Sequence, residues 1–326
     1  MSYNKLMLKK LSSVVGSMII LLIIGLLFSQ RQYVKDFYIV HTSELQSRSK
    51  IVGEQIALTD EANFIFQASQ PEIQPATQFN QSCRGVSKEY SIVLGCYTQQ
   101  KLFVFEVSDT RLDGVIQVTV AHELLHAVYE RLGQKEKNDI DTKLSAFAAT
   151  VQDKRFNDTV EQYKKAEPDH VANELHSMVG TELADLPPEI ENYYRRYFTN
   201  RVAVVTFAKQ YENALEQFSS DIKAYDQELR SLEAQKDTLE TSLKQQEQLV
   251  QSEDDRLSAL RSSGDTQSYN RAVPGFNTSI QGFNSDVSRL KQIVATYNDL
   301  VEKRNAVATS QNDLVKKLDS SYQPIN

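Results

Sequence analysis

The stretch Val118-Thr-Val-Ala-His-Glu-Leu-Leu-His-Ala-Val-Tyr129 carries only one charged side chain, that of Glu123. At helical spacing its apolar residues form one stripe, made of Ala121, Leu124, Leu125, Val128 and the following Leu132. His122 and His126 lie four residues apart on a different face. The pattern predicts a helix over about Val115 to Leu132 that packs on one side and presents two imidazoles on the other.

Two imidazoles one turn apart on a helix can both direct a nitrogen toward one zinc ion. Glu123 lies beside them, where it can reach water at the metal and accept its proton. The alternative is that both histidines are core residues that hydrogen-bond to backbone, with Glu123 on a solvated face. That arrangement is costly, because two buried histidines beside an acid need polar partners. We therefore predict that His122 and His126 are metal ligands and that Glu123 is a general base.

A later acidic residue can complete this ligand set. The stretch Val171-Ala-Asn-Glu-Leu-His-Ser-Met-Val179 places Glu174 on a predicted helix in largely uncharged surroundings. Together with the H-E-x-x-H helix and a preceding strand, this segment resembles the gluzincin type of zinc metallopeptidase over roughly residues 90–180. Ser177 departs from the family pattern, where Ala or Asp is usual. The resemblance implies one Zn²⁺ with Glu174 as the third ligand, a zincin-like α+β fold, and peptide-bond hydrolysis with Glu123 as the base.

Several other side chains could serve such a site. His170 and His176 remain alternatives to Glu174 as the third ligand. A hydrolase of this kind needs a donor for the developing oxyanion. The candidates for that role are His176, Tyr193, Tyr194 and Tyr197. For most of the tyrosines the alternative is packing in the core.

Residues 11–28 form an uncharged run that is almost entirely Ile and Leu from Met18 onward. At about 1.5 Å per residue the run extends roughly 27 Å, just enough to cross the hydrocarbon core of a bilayer. Three lysines precede it, which favours an N-terminus in the cytoplasm and the following domains outside. We predict a cytoplasmic tail at 1–10 and an uncleaved, single-pass membrane anchor at 11–28. A cleaved signal peptide is the alternative, although the run lacks a small-x-small cleavage pattern.

Cys83 and Cys96 are the only cysteines of the chain. Outside the cytoplasm such a pair is oxidised, so we predict a disulfide. Zinc binding by the two thiols and a C-x-x-C redox motif are the weaker alternatives. The predicted disulfide agrees with an extracytoplasmic location for everything beyond the anchor.

The chain beyond the anchor is divided by composition into a juxtamembrane segment at 29–50, a zincin-like domain at 51–200 and a coiled coil at 204–320. In the middle domain, Ala62–Ala68 is typical of a strand. Tyr90–Thr98 and Leu102–Val107 are typical of a hairpin, and the second strand is a candidate edge for pairing with an extended substrate. Gly133 is expected to cap the zinc helix. Four more helices are predicted, at about 135–149, 156–166, 170–179 and 189–198.

Beyond Val204, apolar residues recur at alternating spacings of four and three, and neither Pro nor Gly occurs before Gly264. This seam predicts a coiled coil about 85 Å long. Ser262–Asp265 interrupts the pattern, and Pro274-Gly275 is expected to end the interruption. A second seam follows, so we predict an antiparallel helical hairpin.

The net charge of −7 and the pI near 5.4 leave no basic footprint for nucleic acid. The favoured function is a membrane-anchored, extracytoplasmic zinc metallopeptidase that acts on a peptide or protein substrate. One alternative is a membrane-anchored coiled-coil scaffold with an inactive or structural metal site, in which the hairpin binds a protein partner. Another is a hydrolase of cell-wall material.

Overall fold

The computed structural model describes residues 25, 30–85 and 92–322. The predicted tail and anchor, at 1–10 and 11–28, lie outside these residues apart from Gly25. Among the described residues, no helix combines the length and the apolar character that a membrane crossing needs. The chain divides into two compact units, one of Met1–Asn213 with Val315–Asn326 and the other of Ala214–Leu314.

The described part of the chain is mostly helical. The helices are α1 (Arg31–Thr42), α2 (Ser47–Gln55), α3 (Asp60–Ala68), α4 (Ala76–Ser82), α5 (Val115–Arg131), α6 (Gln134–Ala148), α7 (Lys154–Ala166), α8 (Val171–Glu182), α9 (Pro188–Tyr194), α10 (Arg201–Ser262) and α11 (Thr266–Leu318). The strands are β1 (Glu72–Gln74), β2 (Gly95–Thr98) and β3 (Lys101–Phe105). Helices α5 to α9 confirm the predicted helices, and their ends lie within about one turn of the predicted bounds.

The three strands form one sheet in the order β1-β3-β2. Strand β1 is parallel to β3, whereas β2 is antiparallel to it. The predicted hairpin is therefore confirmed, with shorter strands. Gln99 and Gln100 make its turn with φ values of 50° and 61°, the left-handed conformation that a two-residue type I′ turn needs. The prediction that Leu102–Val107 offers an edge is wrong, because β3 pairs on both sides; β2 is an edge of the described sheet.

Residues Ala62–Ala68 were predicted as a strand, but they belong to helix α3. The Thr59 hydroxyl caps this helix by accepting a hydrogen bond from the Ala62 N–H at 3.2 Å. Asp60 and Glu61 occupy the first turn, where the helix dipole favours negative charge. The apolar side chains then fall on one helical face, with Ala62, Ile65 and Phe66 buried. The N-cap residue and the acidic first turn therefore favour a helix here, although the apolar residues that follow are typical of a strand.

Two glycines flank the histidine-bearing helix α5. Gly114 has a φ of 97°, and a Cβ at this position would lie 2.6 Å from the main-chain oxygen of Phe207, so only glycine fits there. Gly133 does not cap α5 in a left-handed conformation, contrary to the prediction. Leu132 ends α5 in an extended conformation, and Gly133, with φ −69°, is the N-cap of α6. Because α6 begins directly after α5 ends, Gly133 has the extended conformation of an N-cap residue and not the left-handed conformation of a C-cap glycine.

Helices α5 and α8 form the centre of the core of the first unit. They approach closely at Gly180, where a Cβ would lie 2.5 Å from Leu125 Cδ1 and 2.6 Å from Tyr194 Cε1. The buried Arg201 fixes the end of α8 by donating hydrogen bonds to main-chain oxygens there, one of them to Leu183 at 2.6 Å. Close packing at Gly180 and the hydrogen bonds from Arg201 therefore both fix the C-terminal end of α8.

The second unit is a helical hairpin made from α10 and α11. Gln246 donates to Asp286 at 2.6 Å, and nearer the open end of the hairpin Arg304 donates to Asp226 at 3.0 Å. The later residue on α10, Gln246, pairs with the earlier residue on α11, Asp286. The two helices are therefore antiparallel, as predicted. Helix α11 passes through Pro274, so the interruption is shorter than expected. Proline removes one N–H donor, whereas the turns on either side keep their hydrogen bonds.

Cys83 and Cys96 form a disulfide with a Cα–Cα distance of 5.9 Å, which confirms the predicted pair. Both cysteines are buried. The bond ties the end of α4 to strand β2, at the edge of the sheet nearest α5.

Replacing both Cys83 and Cys96 with serine is expected to lower the free energy of unfolding by about 3 kcal/mol, because the disulfide restricts the unfolded chain. Denaturant unfolding of the native chain and the double variant measures this difference. A reducing agent should destabilise the native chain by a similar amount and leave the double variant unaffected. Equal stability of the oxidised native chain and the variant would contradict the expectation.

Candidate metal centre

Helix α5 presents His122 and His126 side by side. Their spacing of four residues places them one turn apart, with ring centroids 4.8 Å from each other. The apolar stripe of the same helix is buried, and Leu124 and Leu125 are fully covered. The predicted division of α5 into a packed face and an imidazole face is therefore correct.

Helix α8 brings Glu174 to the two imidazoles. Glu174 Oε2 lies 3.5 Å from His122 Nε2, and Glu174 Oε1 lies 3.6 Å from His126 Nε2. The next residue on α8, Leu175, is buried in the core, which leaves Glu174 to face the gap between the helices. One carboxylate thus faces both ring nitrogens.

The distances fit a tetrahedral metal ion. Ligand atoms about 2.0–2.1 Å from zinc are separated from one another by about 3.3 Å in tetrahedral geometry. The separations of 3.5 Å and 3.6 Å that Glu174 makes are close to that value. Glu174 Oε2 is also buried and accepts no hydrogen bond of normal geometry from a described residue. A buried carboxylate needs a positive charge beside it, either a protonated histidine or a bound cation, and the three side chains fit a cation.

Glu123 also borders the site: its carboxylate and the two histidines have ligand atoms within 4.8 Å of one another, so this group could itself hold a metal ion. Its surroundings favour a different role. The main-chain N–H of Tyr97 hydrogen-bonds to the Glu123 carboxylate. A Cβ on Gly95 would lie 2.7 Å from Glu123 Oε1, so strand β2 presses on this side chain. Glu123 is held by β2, whereas Glu174 faces both imidazoles.

The four groups of the site carry unequal charges. Burial lowers the pKa of His122, but the carboxylates of Glu174, Glu123 and Glu182 together raise it by more, to about 9. Burial lowers the pKa of His126 to about 4. Burial raises the pKa of Glu123 to about 7, the range in which a general base works best at neutral pH. Burial alone would raise the pKa of Glu174. The two histidines have the larger effect, so the pKa of Glu174 lies below its ordinary value.

Tyr163 is a site residue that the sequence did not reveal. It lies on α7, lines the cleft in front of the histidines, and hydrogen-bonds through its side chain to Glu174. Burial raises the pKa of its hydroxyl, so it stays protonated as a donor. No local pattern marks Tyr163, because α7 and α8 meet only in the folded chain.

The other predicted side chains divide into two groups. His170 precedes α8, is exposed and lines the cleft, but Glu174 and not His170 lies between the two imidazoles. His176 is fully buried on the other side of α8, where its Nε2 is 2.8 Å from the Tyr193 hydroxyl. The structure therefore brings neither histidine into the ligand set.

The tyrosines of the C-terminal part of the first unit surround His176. The Tyr194 hydroxyl donates to the main-chain oxygen of His176 at 2.7 Å. Tyr194 and Tyr197 are almost fully buried, and the ring of Tyr193 contacts both of them. None of these side chains lines the cleft. The three tyrosines therefore pack in the core, as the alternative prediction had it. Their positions give no support to a role in stabilising an oxyanion.

Comparison with protein-family models, curated proteins and solved structures found no match. The interpretation of the site therefore depends on its own geometry. The chain contains a His-Glu-His group that could hold a metal ion, and a second glutamate lies against both histidines.

The site opens into a cleft of about 1110 Å³ within the first unit. One wall is strand β2 with the residues just before it, from Ile92 to Gln100, and the opposite wall comes from α7 and the start of α8. His122, Glu123 and His126 lie on the wall contributed by α5. The cleft is large enough for several residues of an extended peptide chain.

If the site hydrolyses peptides, as the sequence predicts, replacing Gly95 with alanine is expected to lower that activity on the order of 10²-fold, because a small misplacement of a catalytic group is costly. The added Cβ would lie 2.6 Å from Thr119 Cγ2 and 2.7 Å from Glu123 Cγ, so Glu123 or β2 must move. Metal content should be unchanged. Gly133→Ala is the matched control, because a Cβ there meets nothing within 4 Å. Similar rates for both variants would contradict this account.

Proposed function

We propose that the chain is a zinc-dependent peptidase. The observation that carries this proposal is the carboxylate of Glu174 between the Nε2 atoms of His122 and His126, with Glu123 beside them. Two imidazoles and one carboxylate are a frequent ligand set of catalytic zinc, which keeps a fourth position open. The fold proposed for the first unit is zincin-like.

In this proposal the ligands are His122, His126 and Glu174. When bound, the zinc ion would lower the pKa of a water molecule and polarise the scissile carbonyl group. Glu123 accepts the proton of the attacking water, since its own pKa lies near neutrality, and then transfers the proton to the leaving amine. The Tyr163 hydroxyl donates its one proton to Glu174, so in this proposal it orients that ligand.

The shape of the cleft supports an extended peptide as the substrate. Strand β2 pairs only with β3 among the described strands, and it lines the cleft directly above Glu123. An edge strand can bind an extended chain through main-chain hydrogen bonds. The proposed location is outside the cytoplasm, with residues 11–28 as the anchor and the helical hairpin available to a protein partner.

A cleavage screen with the full chain tests this function. Zinc-loaded protein in detergent is incubated with a mixed peptide library and, separately, with cell-wall fragments, and the products are identified by mass spectrometry. We expect new peptide termini that are absent when a chelator is added or when Glu123→Gln is used. Products from wall fragments alone would support the alternative of a wall hydrolase. No cleavage of either substrate would support the scaffold alternative.

A further inference from the structure

Helix α1 buries a charged side chain and exposes aromatic ones, which is the reverse of an ordinary surface helix. Its one fully buried side chain is that of Asp36, which is 3% exposed. Its aromatic side chains are largely exposed: Tyr38 is 68% exposed, and Tyr33 is 58% exposed although its ring also stacks on Phe64 of α3. Ile39 and Val40 are half-buried. Val34 and Phe37 are also exposed. A surface helix normally buries its apolar face and exposes its polar one.

Polar contacts hold α1 in this orientation. The Asp36 carboxylate accepts hydrogen bonds from the Arg131 guanidinium at 2.8 Å and 3.0 Å. Gln32 donates to the same carboxylate, and Gln100 in the hairpin turn donates to Gln32. Lys35 also contacts Gln100. Rotating α1 to bury its aromatic residues would break these contacts and leave a buried charge without a partner.

The position of α1 in the chain indicates what covers its outer face. The uncharged run at residues 11–28 ends just before α1 begins at Arg31. The exposed side chains that follow are mainly Tyr and Phe, the kind that collects at the boundary between lipid and water. An exposed cluster of this kind marks an interaction surface, and an apolar segment that ends next to it brings lipid to the same place.

We propose that the outer face of α1, formed by Tyr33, Val34, Phe37 and Tyr38, lies in the interfacial layer of a lipid bilayer. The contacts of α1 with Arg131 and Gln100 then fix the end of α5 and the β2–β3 turn close to the bilayer surface. This inference goes beyond the proposed peptidase function and does not depend on the metal, but it rests on the proposed membrane anchor at residues 11–28.

Tryptophan fluorescence tests this placement directly, because the chain has no tryptophan. The full chain with Tyr38→Trp is reconstituted in phosphatidylcholine vesicles that contain lipid brominated near the top of the acyl chains. We expect the emission to fall by more than about half, since interfacial helices bury their apolar face about 5–10 Å deep. Soluble iodide should quench the same emission only weakly. Leu249→Trp, at an exposed apolar position of the helical hairpin, is the control and should show the opposite behaviour.

Four results would overturn the proposal. Strong iodide quenching of Tyr38→Trp without lipid quenching means that the face is in water. Protection from both quenchers means that protein covers it, either a second copy, which sedimentation would detect as a dimer, or residues of the same chain. Equal lipid quenching of both variants means that the contact is not specific to α1. Failure to associate with vesicles at all would overturn the predicted anchor together with this placement.

Discussion

The variant Glu123→Gln is expected to lose peptide hydrolysis by about 10²–10⁴-fold, the usual contribution of a general base. Glutamine has nearly the same shape, so it keeps the contact with Gly95 and can still accept the hydrogen bond from the Tyr97 N–H. It cannot accept a proton from water. The loss should therefore appear in the rate of the chemical step, while the bound zinc remains.

Steady-state rates and metal content of the same preparations measure this effect. The matched control is Glu54→Gln, an identical change at an exposed position on α2, which should keep the native rate. A Glu123→Gln protein that retains its zinc and cleaves peptides at the native rate would refute the role of Glu123. Loss of zinc from this variant would instead assign Glu123 to the ligand set.

The second large effect is expected on stability, from Arg131→Met. Arg131 pairs with the buried Asp36 and also donates to the Tyr97 hydroxyl at 2.9 Å. Removing the guanidinium leaves the Asp36 carboxylate buried without its counter-charge, and such losses cost about 3–5 kcal/mol. Because Tyr97 lies in β2, the edge strand beside Glu123 should also become less well fixed.

Denaturant unfolding of the first unit, followed in the full chain, measures the loss of stability. The matched control is the double variant Arg131→Met/Asp36→Leu, which removes both charges and should recover most of the stability. A single variant within about 0.5 kcal/mol of the native chain, the range of ordinary surface substitutions, would contradict the account.

Local patterns in the sequence were sufficient for the histidine-bearing helix, the hairpin and the two long helices. Helix α5 follows from spacing alone, because His122, His126 and the apolar stripe repeat with the period of a helix. The disulfide needed only the presence of two cysteines and an assumption about the compartment. The seam beyond Val204 repeats often enough that isolated polar residues do not obscure it.

Features that depend on contacts between distant residues could not be predicted. Strand β3 became a central strand because β1, only three residues long, pairs with it from far along the chain. The contact between Tyr163 and Glu174 depends on how α7 meets α8. The position of Glu174 between the two imidazoles depends on how α8 packs against α5, which is close at Gly180. His176 could not be assigned to the core from sequence, because its neighbours come from α9.

The helix α3 was predicted wrongly for a different reason. Its apolar residues are also good strand residues, and their pattern fits either structure in so short a segment. The signal that decides between them is Thr59 followed by two acidic residues, which begins a helix. Helix α1 shows a related effect, because composition alone does not indicate which face of a helix the protein covers.

A calorimetric titration of zinc into the metal-free full chain at pH 8 tests the proposed metal centre most directly. At this pH His122 still carries a proton, because its pKa stands at about 9, whereas His126 and Glu123 have already lost theirs. The account predicts one zinc per chain, release of at least one proton, and affinity at least about 100-fold weaker in Glu174→Ala, because even indirect partners of zinc ligands contribute 10–100-fold. Absence of zinc binding, or equal affinity of the native and Glu174→Ala chains, would contradict it.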